Sequence, residues 1–99
     1  MKGANLLKCI CDETRFDILE MLQKNNELCV NDFVEKLKKE QPLISHHLKT
    51  LKQCGIVKSR GDGKKMMYKI SSSQLSELIS NITKASKKIP VLCNDKSCC

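Results

Sequence analysis

Apolar residues recur along the first half of this chain at the three- and four-residue spacing that is typical of amphipathic helices. A short first helix is predicted around "LLKCI". A second is predicted over "DETRFDILEMLQK", with Asp12 as its N-cap and "NNE" ending it. A third helix carries the next apolar stripe. The stripe positions of the three helices are Leu6, Leu7, Ile10, Ile18, Leu19, Leu22, Val30, Phe33, Val34 and Leu37.

The second half of the chain predicts a fourth helix, a β-hairpin and a fifth helix. Pro42 fits the first turn of "PLISHHLKTLKQC", and Gly55 fits its end. Two short strands flank a Gly-Asp-Gly turn in "GIVKSRGDGKKMMYKI", which is typical of a hairpin. Pro90 is expected to end the fifth helix. After the predicted cap "SSS", that helix is marked by Leu75, Leu78, Ile79 and Ile82.

Composition and charge favour one small domain that binds a polyanion. The 99 residues are 40% apolar, and 18 Lys and Arg against 11 Asp and Glu give a net charge of +7. Nucleic acid is therefore the preferred partner, ahead of an anionic membrane surface. The stretch "ANLLKCIC" is interrupted by Lys8 and is too short for a signal sequence or a membrane span, so we expect a cytoplasmic protein without a membrane partner.

The residue patterns favour a binding protein over an enzyme. The sequence has no Gly-rich phosphate loop and no acid and base pair implied by spacing. Its cysteines also lack the C-x-x-C arrangement of thiol oxidoreductases. We therefore expect no catalytic residues and no cofactor that is needed for folding.

The predicted fourth helix has an apolar face and a cationic, polar face. Ile44, Leu48 and Leu51 fall within roughly 60° of one another on a helical projection. Polar side chains of these types hydrogen-bond base edges and phosphates in a major groove, although a solvated amphipathic helix has the same pattern. The residues on the polar side are Ser45, His46, Lys49, Lys52 and Gln53.

The elements around this helix follow the order of a helix-turn-helix protein. A helix, a short break at residues 38–41 and a second helix opened by Pro42 form a unit whose second helix reads DNA. The hairpin that follows carries Arg60, Lys64 and Lys65 around a Gly-rich tip. These cations fit a wing that contacts DNA, and a solvated hairpin tip is the alternative.

The chain resembles the ArsR/SmtB family of winged-helix metal-sensing repressors over roughly residues 6–82, in "LKCICDETRFDILEML", "ELCVND", "QPLISHHLKTLKQCGIVKSR" and "GKKMMYKI". The resemblance implies a mostly α winged helix-turn-helix fold, α-α-α-α-β-β-α, and a homodimer joined through its first and last helices. A DNA-binding and dimerisation domain would span residues 1–89, followed by a flexible Cys-rich tail over 90–99. His47 is expected to be a half-buried packing residue. The residues that match the family's operator contacts are Gln41, Ser45, His46, Lys49, Arg60, Lys64 and Lys65.

The chain departs from the family near the DNA and at two metal sites. Leu43 stands where the family usually has a small polar residue, so the operator sequence is not predicted. Glu40 stands where the family usually has a helix-capping Ser, so the start of the fourth helix is not predicted either. Of the three third-helix cysteines of the founding arsenic sensors, only Cys29 is present, so that site is not expected here. The last-helix site of zinc and nickel sensors is reduced to Glu77.

The seven cysteines are interpreted first as reduced thiols, because no secretion signal accompanies them. Cys29 precedes the third helix with Asp32 at N3, which leaves a capping or packing role, a reactive thiol and a metal ligand open. Cys11 and Cys54 lie on apolar stripes and are predicted to be buried by packing. Cys9 and Cys11 diverge by about 200° on a helix and cannot share one ion. Cys9 could instead join a site with a partner's tail.

The tail cysteines, Cys93, Cys98 and Cys99, lie in a segment without apolar periodicity, so packing does not account for them. Some arsenic-responsive members of the family place inducer cysteines at this end. Three thiolates suit As(III) and Sb(III), whereas Cd(II), Pb(II) or Zn(II) would add a fourth ligand. The sequence predicts a repressor that leaves its operator when these cysteines bind a thiophilic ion. The alternatives are a thiol redox-responsive repressor, a constitutive DNA-binding protein and a tail with incidental cysteines.

Overall fold

The computed structural model describes residues 2–89, which form helices and one small sheet in the predicted order. Three helices precede the predicted DNA-reading helix, which is followed by the hairpin and a long last helix. None of the helices in this part of the chain has the combination of length and hydrophobicity that a membrane span requires. The elements are α1 (Gly3–Ile10), α2 (Glu13–Asn25), β1 (Leu28–Cys29), α3 (Val30–Leu37), α4 (Gln41–Gln53), β2 (Val57–Asp62), β3 (Lys65–Ile70) and α5 (Ser73–Lys88).

Side chains cap three of the helices at their predicted starts. The Asp12 carboxylate accepts a hydrogen bond from the Arg15 backbone N–H at 3.0 Å, and the Ser72 hydroxyl accepts one from the Leu75 N–H at 3.2 Å. Cys29 is the N-cap residue of α3, and the Asp32 carboxylate at N3 accepts the Cys29 backbone N–H at 2.9 Å. These bonds satisfy donors that a helix N-terminus otherwise leaves without a partner, so the predicted caps are confirmed.

The sheet has three antiparallel strands in the order β1-β3-β2. The predicted hairpin is confirmed, but its turn lies one residue later than the Gly-Asp-Gly pattern indicates. Asp62 belongs to the ladder opposite Lys65, so Gly63 and Lys64 form the turn, with Gly63 in the left-handed region at φ 63°. The sequence pattern did not predict β1, because two residues are too few to show an alternation.

One apolar cluster joins the helices to the base of the hairpin. The predicted stripes of α2 and α4 are buried, and α4 also packs against β2, so the reading helix and the hairpin share one core. The α5 stripe differs from the prediction, because only Ile79 is fully buried and Leu78 is 36% exposed. The core residues with no more than 2% exposure are Ile18, Leu19, Leu22, Phe33, Ile44, Leu48, Leu51, Ile56, Val57 and Ile79.

Two cysteine predictions are wrong. Cys11 is exposed because α1 ends at Ile10, which leaves Cys11 as the C-cap residue rather than a member of the apolar stripe. Cys54 packs beside the core as predicted, yet it is not a thiol, since a disulfide joins it to Cys9 across 45 residues of sequence. The expectation that the cysteines are all reduced thiols therefore fails for this pair.

Replacing Asp32 with Ala tests the cap of α3. The substitution removes the acceptor of the Cys29 N–H, and we expect the free energy of unfolding to fall by about 1 kcal/mol, the usual value of a capping interaction. Urea unfolding followed by circular dichroism measures this. Asn31→Ala, at the exposed neighbouring position of the same helix, is the matched control. Equal losses in the two variants would contradict a capping role for Asp32.

Candidate nucleic-acid interface

The reading face is defined here as Gln41, Ser45, His46 and Lys49 of α4. All four side chains are exposed, and the four-residue spacing of Gln41, Ser45 and Lys49 stacks them on successive turns. The opposite side of α4 is fully buried in the core. The structure therefore brings the predicted α4 contacts onto one surface of a helix that cannot rotate without exposing its apolar side.

The start of α4 is stabilised by backbone geometry. Its N-cap residue Glu40 makes no side-chain capping bond, while its backbone carbonyl accepts the Ile44 N–H at 3.1 Å. Pro42 in the first turn has no N–H, which leaves fewer donors without a partner. Leu43 is 41% exposed beside this end, so the departure from a small polar residue places an apolar side chain next to the reading face.

The wing is defined here as the β2–β3 hairpin, which carries Arg60, Lys64 and Lys65 at exposed positions. Lys64 lies in the turn and Lys65 begins β3. The Arg60 guanidinium donates two hydrogen bonds to the Glu27 carboxylate, from Nε at 2.8 Å and from a terminal nitrogen at 2.9 Å. These bonds lower the pKa of Glu27 and raise the pKa of Arg60. Arg60 is thus bound to an acid of the α2–β1 connection.

A polar contact between α2 and α4 lies behind the reading face. His47 is 8% exposed, and its Nδ1 accepts a hydrogen bond from Arg15 Nε at 3.2 Å. The same guanidinium donates to the Cys9 backbone carbonyl at 3.3 Å, and Asp12 Oδ2 lies 3.9 Å from His47 Nε2. Burial, followed by the positive charge of Arg15 and the neighbouring His46, lowers the pKa of His47, while Asp12 opposes the shift.

This contact confirms His47 as a packing residue and adds a role that the sequence did not predict. Because Nδ1 accepts from Arg15, the histidine is neutral in this arrangement, with its proton on the nitrogen that faces Asp12. Arg15 thereby connects the end of α1, the first turn of α2 and the middle of α4. The pattern of charges in "DETRFD" gave no indication of this pairing, since the partner lies 32 residues away.

The cysteines of the described part of the chain occupy separate places. Cys29 is buried at the start of α3, Cys11 is exposed, and Cys9 is bonded to Cys54. Within residues 2–89 no group of three or more His, Cys, Asp or Glu side chains is arranged to hold a metal ion. The predicted ion ligands Cys93, Cys98 and Cys99 lie outside the described residues.

A basic helix exposed on one side, preceded by a short turn and followed by a cationic hairpin, defines the winged helix-turn-helix class of DNA-binding proteins. A family model for bacterial regulatory proteins of the arsR family matches residues 12–59. The chain is also 44% identical over 78 residues to an uncharacterised HTH-type transcriptional regulator of Methanocaldococcus jannaschii, covering 79% of this chain and 88% of the relative. It belongs to the arsR family of transcriptional regulators.

Two further similarities agree with this assignment. An arsenical resistance operon repressor of Staphylococcus aureus is 35% identical over 79 residues, which cover 80% of this chain and 75% of that protein. The solved structure of HlyU from Vibrio cholerae matches with a TM-score of 0.78 and 29% identity, over 89% of this chain and all of that one. The predicted family and the winged-helix fold are confirmed.

The His47 environment predicts how stability depends on pH. The folded-state pKa of His47 lies below the ordinary value of 6.5, so the unfolded chain binds a proton at higher pH than the folded chain. The contribution of the neutral histidine is complete above pH 6.5 and is lost as the pH falls below it. We expect the free energy of unfolding to fall as the pH is lowered from about 6.5 through the lower folded-state pKa of His47. Urea unfolding across this range measures the slope.

Substitutions of the two histidines test whether His47 causes this pH dependence of stability. His47→Gln keeps an acceptor for Arg15 but does not titrate, so it is expected to show a smaller loss of stability on acidification. His46→Gln is the matched control, because it removes an exposed histidine from the same helix. The same slope in His47→Gln as in the parent chain would assign the pH dependence to other groups.

Proposed function

We propose that this chain is a homodimeric repressor that binds operator DNA and is released when Cys93, Cys98 and Cys99 bind a thiophilic ion. The observation that carries the DNA-binding part is the reading face, four exposed polar side chains on a helix whose other side is locked in the core. As(III) or Sb(III) is the preferred inducer, because three thiolates match its trigonal coordination. The similarity to an arsenical resistance operon repressor supports the same choice.

DNA recognition would combine base contacts from α4 with phosphate contacts from the wing. Gln41 has the amide that pairs with adenine, while Ser45, His46 and Lys49 offer donors for base edges or phosphates. Lys64 and Lys65 at the wing tip offer charge without sequence preference, which positions the protein on the duplex. Lys, Arg and the net charge of +7 make this binding sensitive to salt.

Dimerisation would use α1 and α5. Leu7 on α1 is 61% exposed and Leu78 on α5 is 36% exposed, so both helices leave apolar surface uncovered in the single chain. A second copy would cover this surface and place two reading faces in successive major grooves, with half-sites about 34–36 Å apart. An ion bound by the tail, which follows α5, would change this spacing.

Release requires only a modest difference between the free energies with which the ion binds the DNA-free and the DNA-bound protein. A tenfold loss of operator affinity corresponds to about 1.4 kcal/mol of preference for the DNA-free form. If Cys9 of one copy joined the tail of its partner, a fourth ligand would favour Cd(II), Pb(II) or Zn(II). The three-cysteine tail site is the one proposed, because Cys9 belongs to no group of three or more potential ion ligands within residues 2–89.

Fluorescence anisotropy of a duplex from the chain's own promoter tests this function. The reduced protein is titrated with As(III), Cd(II), Zn(II) and a mild oxidant in turn, and release by As(III) at a stoichiometric ratio is expected. Replacing Cys93, Cys98 and Cys99 with Ser is expected to preserve DNA binding and abolish release, whereas Cys11→Ser, at an exposed cysteine of the domain, leaves release unchanged. Unaltered release from the triple variant would eliminate the tail site. Tight binding that ignores all four agents would indicate a constitutive DNA-binding protein, and release by the oxidant alone a redox-responsive one.

Glu27→Gln tests whether Arg60 contacts DNA. The substitution breaks the carboxylate pair that holds Arg60, so the guanidinium becomes free to bind a phosphate. We expect tighter DNA binding and a slope of log affinity against log salt that is steeper by about 0.9, the value for one added phosphate contact. Anisotropy at several salt concentrations measures both quantities.

The matched control is Glu35→Gln, which removes the same charge from an exposed position on α3. It is expected to raise affinity less and to leave the salt slope closer to that of the parent. In an Arg60→Gln background, Glu27→Gln is expected to behave like this control. Equal effects of the two glutamate substitutions in the parent chain would show that Arg60 does not contact DNA.

A further inference from the structure

The disulfide between Cys9 and Cys54 joins the first helix to the end of the reading helix. Cys9 lies in the last turn of α1, and Cys54 is the C-cap residue of α4. Both side chains are partly buried against the core, and their Cα atoms are 6.8 Å apart, within the range that a disulfide spans. We infer that Cys9 and Cys54 are a reversible oxidation site whose closed form ties the DNA-reading helix to α1.

Polar contacts next to this pair also connect the end of α1 to α4. The backbone carbonyl of Cys9 accepts a hydrogen bond from Arg15, whose Nε donates to His47 in the middle of α4. The disulfide adds a covalent tie at the C-terminal end of the same helix. With the bond closed, α4 is connected to the end of α1 at two positions, through Arg15 at His47 and through the disulfide at Cys54. With the bond open, the weaker polar contact and the apolar core alone hold it.

The chemistry requires a two-electron oxidant, and a peroxide is the class proposed here. One sulfur, as thiolate, attacks a peroxide oxygen and becomes a sulfenic acid, which releases the first water. The second thiolate then displaces the sulfenic oxygen as the second water and forms the S–S bond. The two thiols thus lose two protons and two electrons, and the peroxide is reduced to two waters. A dithiol reductant reverses the reaction by exchange and is itself oxidised to a disulfide.

Closure is expected to strengthen DNA binding. A helix whose position is already fixed loses less conformational entropy when it enters a groove of DNA. The oxidised protein is therefore expected to lose less entropy on binding than the reduced protein. This inference rests on the DNA-binding function proposed above, but not on the tail cysteines. Oxidised protein is expected to bind the promoter duplex at least about fivefold more tightly than reduced protein, the lower end of typical coupling between two sites.

The experiment uses the full chain with Cys93, Cys98 and Cys99 replaced by Ser, so that tail thiols do not interfere. One portion is treated with hydrogen peroxide and one with dithiothreitol, and both reagents are removed. Peptide mapping by mass spectrometry identifies the linked cysteines, and anisotropy with the promoter duplex gives the two affinities. Cys54→Ser and Cys9→Ser each remove the bond, and Cys54→Ala serves if the serine disturbs packing beside the core. Cys11→Ser is the matched control, since Cys11 is an exposed neighbour of the site.

We expect the Cys9–Cys54 peptide in the peroxide-treated chain and in Cys11→Ser, with tighter DNA binding that dithiothreitol reverses. The Cys9 and Cys54 variants are expected to bind with the lower affinity after either treatment. Absence of the linked peptide, or affinity that is the same or weaker in the oxidised form, would overturn the inference. A linked peptide in a chain that binds the duplex in neither state supports the oxidation site and refutes the DNA-binding function.

Discussion

The apolar side of α4 is the constraint on which the DNA-binding surface depends. Ile44, Leu48 and Leu51 are fully buried, and they share one core with α2, α3 and the base of β2. Truncation of such a side chain to Ala typically costs about 2–5 kcal/mol, a large part of the stability of a small domain. The same residues stabilise the fold and orient the reading face. A substitution that weakens the core is therefore expected to change the orientation of the reading face as well. The wing follows α4 through the buried pair Ile56 and Val57, so one core holds both elements that are proposed to contact DNA.

The sequence predicted the elements and most of the core, because both depend on local periodicity. Asp12, Asp32 and Ser72 act at the helix starts where their spacing placed them, and the predicted stripes of α2 and α4 are buried. The exposure of the reading face follows from the same periodicity. Its contacts with DNA remain predictions, since exposure is necessary for them but does not identify the bases or phosphates.

Three contacts between distant residues are among the features that the sequence did not predict. Arg15 and His47 are 32 residues apart, Glu27 and Arg60 are 33 apart, and Cys9 and Cys54 are 45 apart. Helical periodicity predicts which side of a helix is buried. It does not predict which distant residue contacts a polar side chain of that helix. The burial of Cys11 was mispredicted for a related reason, because its helix stops one residue earlier than the apolar stripe suggests. The three missed contacts lie where tertiary packing, and not local pattern, decides the outcome.

Two of these distant contacts, Arg15–His47 and Cys9–Cys54, lie in the region where α1, α2 and α4 meet. If α1 forms part of the dimer interface, as proposed, a change in subunit packing reaches the Cys9 carbonyl, then Arg15, and then His47 on the reverse of the reading face. A surface ion pair would transmit little, because solvent screens it and its side chains adjust. The half-buried Arg15 contact and the covalent tie are stiffer, so they bias the position of α4 more effectively. The same short region would therefore couple the reading helix to the dimer interface and to the oxidation state of two cysteines.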